Sequence, residues 1–131
     1  MMRVALDAAR NGHHVIPLWP RSKAARDKGW ESTATQDSAR IRDIWEPRPY
    51  NVGIACGPSG LYVIDLDDAH GHEPPPQWTG ATHGRDVLTR VAAAAGQPYP
   101  ADTFTVRTPS GGLHLYFRAP TEPELRNTVG R

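Results

Sequence analysis

Leu61-Tyr62-Val63-Ile64-Asp65-Leu66-Asp67 decides how this chain is read. Its first four residues are apolar and favour extended structure, the composition of a buried strand, and the run closes on two acids. Side chains on a strand alternate faces, so Asp65 and Asp67 share one surface, with Cα atoms roughly 6–7 Å apart. Two carboxylates on a common face repel each other and are costly to desolvate, and a cation beside them relieves both penalties. Hard oxygen donors of this kind suit Mg2+ or Mn2+. The same acids also suit a plain strand exit into solvent ahead of the Gly- and Pro-rich stretch that follows, and the spacing alone leaves both readings open.

A second stretch narrows the choice. Thr103 to Thr108 is strand-like, Pro109 to Gly112 carries turn chemistry, and Leu113, Leu115 and Phe117 then alternate with Gly112, His114 and Tyr116. That period of two predicts a half-buried strand, and the pair reads as a hairpin. His114 falls on the face opposite the Leu-Leu-Phe stripe, where it is either an ordinary surface imidazole or a ligand-facing one. Glycines beside a polar strand residue also mark places where a ligand comes close to the backbone.

Outward from these motifs, Met2 to Arg10 predicts an amphipathic helix with Val4, Ala5, Ala8 and Ala9 inward and Gly12 as its terminator. Val15 to Trp19 reads as a strand, and Pro20 to Trp30 as a basic loop in which Lys23 is available to a phosphate. Thr35 is the expected N-cap of a helix to Trp45 that turns Ile41, Ile44 and Trp45 to one side. Asn51 to Cys56 and Leu61 to Asp67 read as strands, and the short Gly57-Pro58-Ser59-Gly60 connection predicts that they form a hairpin. From Asp68 to Thr82 there is no periodicity, and Pro74 to Pro76 make it an excursion. A helix then starts at Gly84 or Asp86, with Val87, Leu88, Val91 and Ala95 on one face, and ends at Gly96. The fold class is α+β, a mostly antiparallel mixed sheet with flanking helices in one domain over residues 1–131.

With 15 Lys and Arg against 14 Asp and Glu, the net charge is +1, so nucleic acid is not attracted by the molecule as a whole. Affinity for it has to come from local groups such as Arg85, Arg90, Arg107 and Arg118. The single cysteine excludes an internal disulfide, and no leader pattern or bilayer-length apolar run is seen, which predicts a cytoplasmic protein with no membrane partner. His70, His72 and His83 with Cys56 match no closed zinc spacing.

Taken together, the two motifs resemble the N-terminal domain of bifunctional DNA primase/polymerases (Prim-Pol), in the archaeo-eukaryotic primase superfamily. The likeness runs through Gly12 to Leu18, Ser22-Lys23, Trp30, the Thr35 to Trp45 helix and Tyr50 to Gly60 before it reaches the Asp-x-Asp and Gly-Gly-x-His strands. It implies a Prim-Pol core with an RRM-like part. It further implies that Asp65 and Asp67 are metal-binding carboxylates and that His114 contacts the nucleotide triphosphate, with Ser110, Gly111, Lys23 and Arg118 as further contacts. The implied cofactor is Mg2+ or Mn2+, and the implied partners are nucleoside triphosphates, single-stranded DNA template and primer, and a helicase domain or protein.

The implied reaction is template-dependent nucleotidyl transfer, with a hydroxyl attacking the α-phosphorus and pyrophosphate leaving. Similar sequences carry a third acid on a strand downstream of the His motif. After His114 only Glu122 and Glu124 follow here, so the closing strands are expected beyond Arg131, and weak binding of metal and nucleotide is expected without them. Two other classes share the same residues: a non-catalytic nucleotide or nucleic-acid-binding module, and a metal-dependent phosphohydrolase or nuclease.

Overall fold

The computed structural model describes residues 1–128; residues 129–131, the end of the expected domain, lie outside it. The chain divides into two compact units, Met1–Leu61 with the described residues from Ala119 on, and Tyr62–Arg118. Helices and two antiparallel sheets make up an α+β protein, as the sequence predicts.

In the first unit, α1 (Met2–Arg10) and α3 (Ser38–Trp45) pack with β1 (Val15–Leu18), which pairs antiparallel with β2 (Asn51–Ile54). Val15 sits opposite Ile54 and Leu18 opposite Asn51. Ala5, Leu6, Val15, Ile41, Trp45 and Tyr50 form the core, and the Trp45 indole N–H donates to the Tyr50 carbonyl at 2.9 Å. That bond satisfies the one polar atom Trp45 brings inside.

Several local expectations are corrected here. The inward stripe of α1 is Met2, Ala5, Leu6 and Ala9, the i, i+3, i+4, i+7 pattern of a helix, with Ala8 beside it; Val4 falls outside the stripe and is 53 % exposed. Thr35 is not the cap of α3. Asp37 is, its carboxylate accepting from the Ala39 N–H, while Thr35 is buried and bridges to Val15. A short helix, α2 (Trp30–Thr33), begins where the predicted basic loop ends.

The predicted hairpin between Asn51 to Cys56 and Leu61 to Asp67 does not form. Cys56–Ser59 winds into a one-turn helix, α4, in which the Ser59 hydroxyl donates to the Ala55 carbonyl at 2.7 Å, and Gly60 closes it in the left-handed region at φ 68°. Turn-forming residues are equally good helix-end residues, and here the helical use wins. The two strands therefore belong to different sheets.

The second sheet has the order β3 (Leu61–Leu66), β5 (Leu113–Arg118), β4 (Thr105–Arg107). The hairpin read in the sequence is present, with Thr105 opposite Leu115 and Arg107 opposite Leu113. Tyr62 stacks on Phe117 with ring centroids 5.0 Å apart, Asp65 lies beside His114, and Leu66 beside Gly112, so β3 and β5 run in opposite directions. Leu115 is fully buried and Leu66 nearly so.

Helix α5 (Gly84–Ala94) begins at the expected place, but Val91 and Ala95 are exposed. Only the first half of its apolar face, Val87 and Leu88, is half-buried, because the helix is anchored by its N-terminal end.

Ile41→Ala is expected to cost about 2–5 kcal/mol, the range for emptying a closed aliphatic site. Val4→Ala should stay within about 0.5 kcal/mol. Urea unfolding of the two variants checks the reassigned face of α1.

Candidate functional site

Alternation along β3 and β5 gives the second sheet two different faces. Tyr62, Ile64 and Leu66 share one with Leu113, Leu115 and Phe117; Val63 and Asp65 share the other with His114, Tyr116 and Arg118. On that second face His114 Nε2 lies 3.3 Å from Asp65 Oδ1, with the side chains 36 % and 62 % exposed. Asp67 follows β3 directly, and its Oδ1 is 3.7 Å from where a Cβ on Gly112 would stand. Asp65, Asp67, Gly112 and His114 are thus neighbours on an open surface.

The rest of the predicted set is spread more widely. Ser110 is in the turn, its hydroxyl 3.4 Å from that of Thr108. Arg118 is four residues along β5 from His114, roughly 13 Å at strand rise, so it serves a different part of the face. Lys23 belongs to the first unit, exposed in the turn closed by Trp19 and Ala24. Among the described residues no group of three or more His, Cys, Asp or Glu is gathered to hold a metal.

The two glycines of the turn serve close packing. A Cβ on Gly112 would stand 2.8 Å from the Leu66 carbonyl oxygen and 2.9 Å from Thr108 Oγ1, and Gly111 has φ +88° with Asp68 Oδ2 3.2 Å from the missing Cβ. Their amides are already committed, Gly111 N–H to the Thr108 carbonyl at 3.1 Å and Gly112 N–H to the Thr108 hydroxyl at 2.9 Å. Neither glycine N–H of this turn is left without a partner.

Sequence reasoning missed a third segment that ties the two motifs together. Gly84 N–H donates to the Asp67 carbonyl at 2.7 Å, and Asp68 bridges to His83. A Cβ on Gly84 would press on Leu66 Cα at 3.0 Å. His83, only 6 % exposed, reaches from this segment to the Gly111 carbonyl, Nε2 to O 2.9 Å. The one signal in the sequence is His-Gly-x-Asp at the start of a helix, a capping arrangement with an unusual first residue.

The acids flanking the site are each held by backbone N–H groups close to them in sequence. The Thr82 N–H at 2.9 Å, with the His83 N–H and the Thr82 hydroxyl, holds the Asp86 carboxyl below its ordinary range. The His70 N–H does the same for Asp68 at 2.8 Å.

The structure is an α+β protein with an acidic strand end and an imidazole on one open sheet face. The family model for bifunctional DNA primase/polymerase, N-terminal (Prim-Pol), matches residues 5–131, and the chain belongs to that family. At the family level its chemistry is of the primase/polymerase, nucleotidyl-transfer type. No curated protein and no solved structure matches the chain. No helix among the described residues is long and apolar enough to cross a membrane.

Two outcomes follow. Gly112→Ala should destabilise the protein by about 1–3 kcal/mol, since the added carbon meets backbone on one side, and thermal unfolding reads it. Asp68 and Asp86 have folded pKa values below the unfolded value near 3.9, so their contribution is complete above that value and is lost as pH falls through the folded ones. The double variant Asp68→Asn, Asp86→Asn should therefore show a flatter fall in melting temperature below about pH 4 than the parent.

Proposed function

We propose that the open face of β3 and β5 is the nucleotide site of a DNA primase/polymerase, and that Asp65, Asp67 and His114 carry its chemistry. The observation that supports this most directly is the 3.3 Å approach of His114 Nε2 to Asp65 Oδ1, with the Asp67 carboxylate at the adjoining Gly112. Asp65 and Asp67 would hold Mg2+ or Mn2+, exposed hard donors to an ion that keeps several waters and takes further ligands from phosphate. When bound, that ion supplies positive charge to the phosphates of the transferring nucleotide.

The chain's own groups do the rest. His114 donates from its ring to a phosphate oxygen, a bond strengthened by the charge of its acceptor. Asp65, at the same imidazole, orients the ring. Ser110 adds a hydroxyl at the turn. Phe104, 69 % exposed and edge-on to Tyr116 at 5.5 Å, offers an aromatic surface of the kind on which unpaired bases of template or primer stack. Arg118, further along the same face, supplies positive charge to a backbone. A helicase domain or protein is the partner that would deliver such a strand.

One observation favours a second reading, a module that binds nucleotide or nucleic acid without turnover: two carboxylates and no third gathered ligand among the described residues. A primer–template extension assay with Mn2+ and deoxynucleoside triphosphates separates the two. Incorporation that is lost in Asp65→Asn and Asp67→Asn, with a nucleotide KM raised about tenfold or more in His114→Ala, is the expected result. Nucleotide binding without incorporation would leave only the binding module. Mononucleotides released from DNA with no triphosphate added would point instead to a nuclease.

A further inference from the structure

We propose that His83 is a positioning residue of the nucleotide site, acting through the Gly111 carbonyl on the turn that delivers His114. The inference rests on the assignment of that site made above and extends it to a residue outside the two motifs.

The partners of the ring fix its tautomer. Nδ1 faces the Arg85 N–H at 3.0 Å, a group that only donates, so Nδ1 carries the lone pair. The proton is then on Nε2, where it meets the Gly111 carbonyl at 2.9 Å, a group that only accepts. The ring is thereby held at both nitrogens, and it is nearly fully buried. At its backbone, His83 N–H donates to Asp86 Oδ2 at 3.1 Å, and the adjoining Gly84 N–H holds the Asp67 carbonyl. One dipeptide therefore grips both halves of the site: the end of the acidic strand through its backbone, and the glycine turn through its imidazole.

The turn needs such a grip. Gly111 sits at φ +88°, and its N–H and that of Gly112 both lead back to Thr108, inside the turn itself. The Gly111 carbonyl is the group of this turn that reaches another segment, 28 residues away in sequence, through His83. Three residues later the strand presents His114 to Asp65. A rotation of the Gly111 peptide would be passed directly to the start of β5, and His83 is what opposes it.

The two functions of the ring can be separated by substitution. His83→Asn keeps a side-chain oxygen at the position that accepts from Arg85 N–H, and Asn is a favoured N-cap, but it is too short to reach Gly111. His83→Gln extends an amide donor toward Gly111 and sacrifices the cap.

Expected for His83→Asn is a melting temperature near that of the parent, altered amide resonances of Gly111 and Gly112 and altered ring resonances of His114, and about tenfold weaker binding of Mg2+–dATP. His83→Gln should melt lower yet recover most of the affinity. Unchanged His114 ring and Gly111 amide resonances in His83→Asn would overturn the proposal, as would binding that follows melting temperature across both variants. If the parent chain itself fails to bind Mg2+–dATP, the nucleotide-site assignment falls, while the His114 and Gly111 resonances still decide whether His83 positions the turn.

Discussion

The backbone of Leu66 and Asp67 is approached from two directions by residues that have no side chain, and the geometry of the second unit follows from that. Gly112 closes on the Leu66 carbonyl and Gly84 on the Leu66 Cα, each at a distance that a Cβ would violate. Close backbone contact lets the Gly84 N–H reach the Asp67 carbonyl and brings the turn of the β4–β5 hairpin against the acidic strand end. Glycine at these positions is a packing requirement first, and its conformational freedom matters chiefly at Gly111, where φ is +88°.

The site that results is open and lightly held. Asp65 and His114 are near enough to attract each other when the ring is charged, yet both are substantially exposed, so solvent screens the pair and it adds little to folding. Their closeness is better understood as orientation. In the second unit the Asp68 and Asp86 carboxyls are held below their ordinary range by backbone N–H groups that they organise. The acids thus divide by surroundings: one set fixed by local hydrogen bonds, the other facing outward.

Much of this was legible in the sequence where the signal was periodic. β5 was readable from the strict alternation of Leu113, Leu115 and Phe117, and the side of the sheet occupied by His114 followed from the same period. The end of β3 was readable from Asp65 onward. Pairing was not. Gly57-Pro58-Ser59-Gly60 is as good a helix end as a hairpin turn, and nothing local says that β2 pairs back to β1 while β3 pairs forward to β5. Thr35 and Asp37 are both acceptable caps, and the choice was made by a bridge to Val15, twenty residues earlier. His83 was illegible for the same reason, because its decisive partner, Gly111, is distant in sequence and offers only a carbonyl.

The stretch between Asp68 and His83 leaves and returns at a single point, since those two residues bridge to each other and Ala69 N–H is bonded to the Thr82 carbonyl. A loop whose mouth is pinned in this way is insulated from what it encloses. Lengthening it adds closure entropy only logarithmically, about 0.6 kcal/mol for each doubling. The excursion can therefore be shortened or lengthened at small cost, while the paired anchor keeps the frame beneath it in register.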